Sequence, residues 1–539
     1  MKSLSKWVLS TLLVGGILLG SANVALADGT NFAQKDLPNI YAPENKTHKL
    51  ALLDDKANTN VALAKLDNGK IVFMTKKDGK MQQFYPLAVE TGFWDTRKEN
   101  QETNWDEAFK QMKSMGFNTV QLMVQWSDWN QAPGKFDYSY LDSIVNTAKK
   151  YDMKMYFAMF FHYQWNMAKK FDDFWAYHVE DHDGKSYSIQ WGKGDQNNPA
   201  NIRKDSLEVF PEYWHPQIYP RLLEAIENLA QHYRDSDTVI AYQLGNEEGF
   251  NYYLNGGNDQ NPYYQMLFNK WKEQTKQSDE KAFRKDTILA LWQSFSDAVH
   301  KVDPYKPVTT NFQAGLPEKG GTFDWHEGVD PAFYKEANLD MVGTMFYGND
   351  GDLAWNSLDK IYNYTTQGPI LFPSEIGAAG QNSINMKSYV LDSLSRGAQG
   401  FGIYCYGEMW GTEHQTNATN LLAMISANQN LITRGLPQAT DQGQITLQQP
   451  EGLTSRALQV PNAKLFMLND ATALKKLPQA TAKEYELPLK FNQTGRYEVT
   501  VMVNGKKQDS KIVTDGQTSL KVSLTPYDVA FVSVQKTAN

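Results

Sequence analysis

The chain has 539 residues, 41% of them hydrophobic and 13% aromatic, which is too long for one ordinary domain and apolar enough for a large core beside a smaller one. A formal net charge of −8 makes nucleic acid and anionic membranes poor partners. The single cysteine, Cys405, excludes an internal disulfide and sits in the apolar run FGIYCY, where a small buried residue is the ordinary explanation.

At the start of the chain, MKSLSK carries two lysines ahead of the apolar stretch Trp7 to Gly20, and Ala25-Leu26-Ala27 supplies the small residues of a cleavage site. Residues 1–27 therefore read as a signal peptide cut after Ala27, and the mature protein as secreted. Cleavage removes Lys2 and Lys6 and no acid, which takes the net charge from −8 to −10. The apolar run is shorter than the roughly 20 residues that cross a bilayer, and no later run reaches that length, so no membrane span is expected after cleavage.

Residues 28–80 hold short β-like runs around Asn68-Gly69 and Asp78-Gly79, which predict a small hairpin packed on the floor of a larger domain. From Phe84 onward, apolar runs alternate with amphipathic stretches, the pattern of βα units around a parallel sheet. The expected strands are Phe84–Glu90, Thr119–Trp126, Lys154–His162, Val239–Glu247, Pro307–Phe312, Leu339–Tyr347, Pro369–Glu375 and Phe401–Trp410. Helical periodicity marks Trp105–Met115, Tyr140–Tyr151, Pro216–Tyr233, Lys281–Val302, Leu353–Tyr364 and Asn385–Arg396. Eight such strands predict an α/β fold, a (β/α)₈ TIM barrel over residues 81–438. The aromatic segment Gln164–Trp214 is long enough to be a binding loop. Residues 439–539 lose the helical period and show RALQV, AKLFML, RYEVTVMV and DVAFVSV between turn residues, which predicts a C-terminal β-sandwich.

In a barrel of this kind, reactive groups stand at the C-terminal ends of the strands. Two glutamates fall there: Glu247 closes VIAYQLGNE at the end of the fourth strand, and Glu375 closes PILFPSE at the end of the seventh. Glycosidic cleavage needs one protonated and one ionised carboxyl flanking the bond, a task two such residues can perform. Glu248 follows Glu247 and, by the alternation of a strand, faces away.

The stretch MGFNTVQLMVQWSDWNQAPGKFDYSYLDSIVNTAKKYDMKM, together with HYRDSDTVIAYQLGNEEG, KPVTTNF, LDMVGTMFYG and SRGAQGFGIYCYGEMW, resembles glycoside hydrolase clan A. It is most similar to the β-galactosidases of glycoside hydrolase family 42 and more distantly to family 35. The resemblance covers Phe84–Trp410 and implies a retaining β-glycosidase with Glu247 as acid/base and Glu375 as nucleophile. Their carboxyls would lie about 5–5.5 Å apart. Asn246 is placed to bind the sugar 2-hydroxyl, or to cap a helix. Tyr347 ends the sixth strand, where it is either a donor to Glu375 or a core tyrosine. Trp410 offers a flat face to the sugar or packs in the core. His162 and Trp165, after the third strand, are weaker substrate-binding candidates. The expected partner is an oligosaccharide or polysaccharide, with no cofactor and no metal, since no His-Glu-x-x-His or cysteine cluster is present. An endo-acting glycanase on a β-linked polysaccharide and a non-catalytic carbohydrate-binding surface protein fit the same outline.

Overall fold

The computed structural model describes residues 50–54, 57–92, 104–132, 134–161, 218–246, 262–311, 337–346, 369–377, 382–470, 481–526 and 528–537, with two short antiparallel pairs, Val24–Ala25 on Asn31–Phe32 and Val179–Glu180 on Ser186–Tyr187. The expected helix at 353–364 and nearly all of the loop at 164–214 lie outside these residues. Among the described residues no helix is long and apolar enough to cross a membrane.

A three-stranded antiparallel sheet comes first: β1 (Val61–Lys65), β2 (Ile71–Lys77) and β3 (Lys80–Phe84). The barrel then begins at β4 (Leu87–Thr91), so Phe84 belongs to the sheet before the barrel rather than to its first strand. Parallel pairing continues through β5 (Thr119–Gln125), β6 (Lys154–Phe160), β7 (Val239–Asn246) and β8 (Val308–Asn311). The sixth strand is split into β9 (Met341–Val342) and β10 (Met345–Phe346), and the seventh into β11 (Ile370–Leu371) and β12 (Glu375–Gly377). The eighth, β13 (Phe401–Tyr404), pairs with both β12 and β4. Between β8 and β9 the Asp340 N–H donates to Val308 O at 3.0 Å, the Val308 N–H to Asp340 Oδ2 at 2.8 Å, and the Thr309 hydroxyl to Met341 O at 3.0 Å. These bonds bring the two ends of the sheet together, so it is nearly closed.

β5 and β7 are buried along their whole lengths, as expected of strands covered on both faces. Alternation sorts the side chains. Leu87, Val89, Phe401 and Ile403 turn outward to the helices, whereas Ala88 joins the interior cluster with Tyr156, Ile240, Met341 and Phe372. Around the barrel lie α1 (Trp105–Ser114), α2 (Ser139–Lys150), α3 (Ile218–Tyr233), α4 (Pro262–Thr275), α5 (Glu280–His300) and α6 (Asn382–Ser395). α1 starts where Asn104 Oδ1 accepts the Glu107 N–H at 3.2 Å, an N-cap reinforced by acids in the first turn, and it buries Ala108, Phe109 and Met112 at helical spacing. After β13 come the short α7 (Tyr406–Met409), α8 (Glu413–Ala427) and α9 (Gln429–Arg434).

The antiparallel sheet seals the barrel floor. Val61, Leu63 and Phe73 join the interior cluster, with the Phe73 ring 6.0 Å and the Tyr156 ring 5.7 Å from that of Phe372. The β1–β2 turn also caps α9: Asn68 Nδ2 donates to Arg434 O, and Lys70 Nζ donates to Ile432 O at 2.8 Å and Gly435 O at 2.7 Å. These carbonyls are among those a helix end leaves unsatisfied.

Burial pushes the Lys70 amine down to about 7 from its ordinary 10.5. Between those two values the unfolded chain binds a proton that the native chain does not, so this group's contribution to stability rises with pH across that window and is flat below it. The stability of the wild type minus that of Lys70→Met is therefore expected to rise from pH 6 to pH 9, measured by urea unfolding at each pH. A gap that stays constant would contradict this.

The C-terminal part comprises β14 (Leu436–Gln438), β15 (Ile445–Leu447), β16 (Leu453–Val460), β17 (Ala463–Asp470), β18 (Lys483–Val503), β19 (Lys506–Leu524) and β20 (Val529–Lys536). All pair antiparallel in one sheet, order β14-β16-β17-β20-β18-β15, with β19 also on β18. Alternate residues along β18, from Tyr485 to Phe491 and from Tyr497 to Val503, share a core with Ile445, Leu453, Phe466 and Ala530. The sheet is tied to the barrel by Arg456, which donates to Asp392 of α6 and to Asn469 Oδ1, while Asn469 Nδ2 donates to Ser388 Oγ at 3.0 Å. Burial raises the Asp392 carboxyl to about 6 despite the two arginines beside it.

Candidate active site

Three strands bring polar side chains to one place in the barrel mouth. β7 ends at Asn246, β8 ends at Asn311 and β12 opens with Glu375; the three are 7%, 2% and 6% exposed. Asn246 and Asn311 are partners in the β7–β8 register. The Asn311 amide nitrogen donates to Asn246 Oδ1 at 2.7 Å and to Glu375 Oε2 at 2.5 Å, and the Ser374 hydroxyl donates to Asn311 Oδ1 at 2.8 Å. One amide thus joins the ends of the fourth and seventh strands.

Further buried amides continue this link across the interior. Gln243 Nε2 donates to Gly245 O at 3.0 Å and reaches Asn246 Oδ1 at 3.5 Å. Gln121 Nε2 donates to Gln243 Oε1 at 3.0 Å, and the Tyr156 hydroxyl donates to Gln121 Oε1. Polar groups at this depth need such partners, because an unmade bond there costs about 1–3 kcal/mol.

The site is electrostatically acidic. Glu90 of β4 is 1% exposed and stands in register with Gln121. Burial, with the charges of Glu90 and Glu375, raises the Tyr156 phenol well above its ordinary value. Tyr404, at the end of β13, is raised by burial first and then by Cys405, Glu90, Glu408 and Glu375. Both phenols therefore stay protonated near neutral pH and can act as donors. On the β5–β6 side the interior is apolar, formed by Met123, Ala158 and Phe160.

Backbone proximity fixes where Glu375 stands. A Cβ on Gly402 would lie 2.2 Å from Ser374 O and 2.8 Å from Gln121 Oε1, so only glycine lets β13 pass the strand that carries Glu375. Gly402→Ala is expected to lose about 1–3 kcal/mol of stability through overpacking, read by denaturant unfolding. An alanine variant as stable as the wild type would contradict the close approach.

Of the sequence candidates, the structure brings Asn246 and Glu375 together through Asn311. Glu247, Glu248, Tyr347, His162 and Trp165 lie outside the described residues. Glu375 is not the last residue of its strand; two more residues of β12 follow it. The expectation for the eighth strand is corrected. It stops at Tyr404, and the helical turn α7 intervenes, so Trp410 is a half-buried cap residue 6.4 Å from the Tyr406 ring rather than a strand-end platform. The aromatic residue at the strand end is Tyr404, which sequence reasoning missed because aromatic and apolar residues continue past it in FGIYCYGEMW. Asn311 and the interior glutamines were missed as well. Cys405 is fully buried. Among the described residues, no three His, Cys, Asp or Glu side chains are grouped to hold a metal ion.

Residues 97–160 match the glycoside hydrolase family 42 model, described as beta-galactosidase. This stretch includes β5, α2 and β6. The chain is 21% identical to the beta-galactosidase BbgII of Bifidobacterium bifidum, over 56% of this chain and 47% of the relative; it spans about half of that protein's length. Among solved structures it is similar to a GH30 endoxylanase from Clostridium papyrosolvens C71, at 11% identity and a TM-score of 0.47, over 84% of this chain and 97% of the other. It is likewise similar to a beta-galactosidase from the psychrophilic Marinomonas ef1, at 12% identity and a TM-score of 0.47, over 66% and 62% of the two chains.

Proposed function

We propose that this protein is a secreted retaining β-glycosidase of β-galactosidase-like specificity, acting on an oligosaccharide or polysaccharide. The observation that carries the reading is the Asn311 amide, which holds Glu375 and Asn246 in one hydrogen-bonded unit at the barrel mouth, with Glu247 next in the chain after Asn246. The match of residues 97–160 to a beta-galactosidase family supports the same reaction class.

In this mechanism the Glu375 carboxylate attacks the anomeric carbon while Glu247 gives a proton to the departing glycosidic oxygen. A covalent glycosyl-enzyme forms and the aglycone leaves as an alcohol. Glu247, now ionised, takes a proton from a water that attacks the same carbon from the face the aglycone left, and Glu375 departs as a carboxylate. Two inversions return the original anomeric configuration. Asn246 donates to the sugar 2-hydroxyl, a contact that strengthens as the ring flattens toward an oxocarbenium ion. The Tyr404 phenol, kept neutral by its surroundings, lies within the field of Glu375 and serves as a donor on that side. No cofactor takes part in these steps.

The test is a panel of aryl β-glycosides and β-linked oligosaccharides with the purified chain, following the first-formed sugar by proton NMR. Release of the β-anomer first, most readily from galactosides, is expected. First appearance of the α-anomer would overturn retention, and no cleavage of any β-glycoside would overturn the glycosidase reading.

A further inference from the structure

The donors and acceptors of the buried chain cannot be assigned one at a time. An ionised carboxylate only accepts hydrogen bonds, so the Asn311 atom at 2.5 Å from Glu375 Oε2 has to be its amide nitrogen. That orientation places Asn311 Oδ1 against the Ser374 hydroxyl, which donates to it. The second hydrogen of the same nitrogen then faces Asn246, whose contacting atom has to be Oδ1, and Gln243 Nε2 approaches that oxygen as well. Asn246 is left with its own nitrogen as the group that can face a ligand.

We infer that Asn311 is a positioning residue through which the charge on Glu375, together with the weaker contact from Gln243, sets the polarity of the Asn246 amide, so that Asn246 presents its donors to the substrate hydroxyl most firmly while Glu375 is ionised. The inference rests on the proposed roles of Glu375 as nucleophile and Asn246 as partner of the 2-hydroxyl, and adds a coupling between them. A protonated Glu375 could donate as well as accept, and so would weaken the preference for that orientation. Nucleophile ionisation and sugar recognition are then coupled. Ser374 has a part in the same device: its hydroxyl, in a fully buried residue, favours the orientation of Asn311 that the carboxylate requires.

The test compares the wild type with Asn311→Asp and Ser374→Ala in two readouts: the pH dependence of kcat/KM, and the ratio of kcat/KM for an aryl β-glycoside to that for its 2-deoxy analogue. Asn311→Asp sets a second carboxyl against Glu375, and two carboxyls at hydrogen-bond distance cannot both ionise. The acid limb is expected to move up by about one pH unit or more. The preference for the 2-hydroxyl is expected to fall about tenfold or more, because the oriented donor is lost. Ser374→Ala adds no charge and nearly preserves volume; it should shift both readouts in the same direction by less, and it carries the test alone if the aspartate variant does not fold.

Rates that fall equally on both substrates, with the acid limb at its wild-type position, would mean that Asn311 only supports the fold, and would overturn the inference. A wild-type protein that cleaves no β-glycoside at all would instead overturn the glycosidase reading. The two failures are therefore distinguishable.

Discussion

Glu375→Ala is expected to abolish turnover on every substrate, by a factor on the order of 10⁶, the scale seen when a covalent nucleophile is removed. The loss should not depend on the leaving group, because without Glu375 no glycosyl-enzyme forms. The variant should still fold: the side chain removed is 6% exposed, and its loss leaves the Asn311 nitrogen one acceptor short, a cost of about 1–3 kcal/mol. Thermal unfolding separates that cost from the kinetic effect. Added azide can enter the vacated space and attack from the face Glu375 occupied, so an activated β-glycoside is expected to give the α-glycosyl azide. Turnover within about tenfold of the wild type would show that Glu375 is not the nucleophile.

Glu247→Ala separates the second role by its dependence on the aglycone. Removing a general acid typically costs about 10²–10⁴-fold, and the loss should be severe for sugars whose leaving alcohol needs a proton. For activated aryl glycosides the first step should proceed nearly unimpaired, so the glycosyl-enzyme accumulates and a burst of phenol appears. Azide, which needs no base, should then release it as the β-glycosyl azide. If Glu248→Ala behaves in this way and Glu247→Ala does not, the acid/base is the neighbouring residue.

The barrel strands were legible because parallel strands buried on both faces read as largely apolar runs, as in TVQLMVQ and VIAYQLGN. Asn246 and Glu375 were legible for a related reason: each is a polar residue in or beside such a run. Gln121, Gln243 and Asn311 were not. A polar side chain inside a strand looks like ordinary alternation with solvent, and only the closure of the sheet reveals that these three face each other. The end of the eighth strand was hidden because aromatic and apolar residues recur on both sides of the helical turn at Tyr406–Met409, which moved the expected strand end from Tyr404 to Trp410. α8 was obscured differently: its first half, EHQTNATN, is polar, while Leu421, Leu422, Met424 and Ile425 are all buried, so no single apolar stripe marks it.

The cap that the β1–β2 turn places on α9 joins positions far apart in the order of synthesis. Asn68 and Arg434 are separated by 366 residues, and Lys70 and Ile432 by 362. A chain that emerges amino end first displays Val61, Leu63 and Phe73 well before Phe372 exists to meet them. Closing so long a loop is slow, and an uncovered antiparallel edge invites association with other chains in the interval. The floor of the barrel is thus completed late, and its last bonds await Gly435, at the threshold of the C-terminal sheet. Shortening the protein at that threshold would therefore remove one of the two carbonyls that Lys70 reaches beneath the barrel.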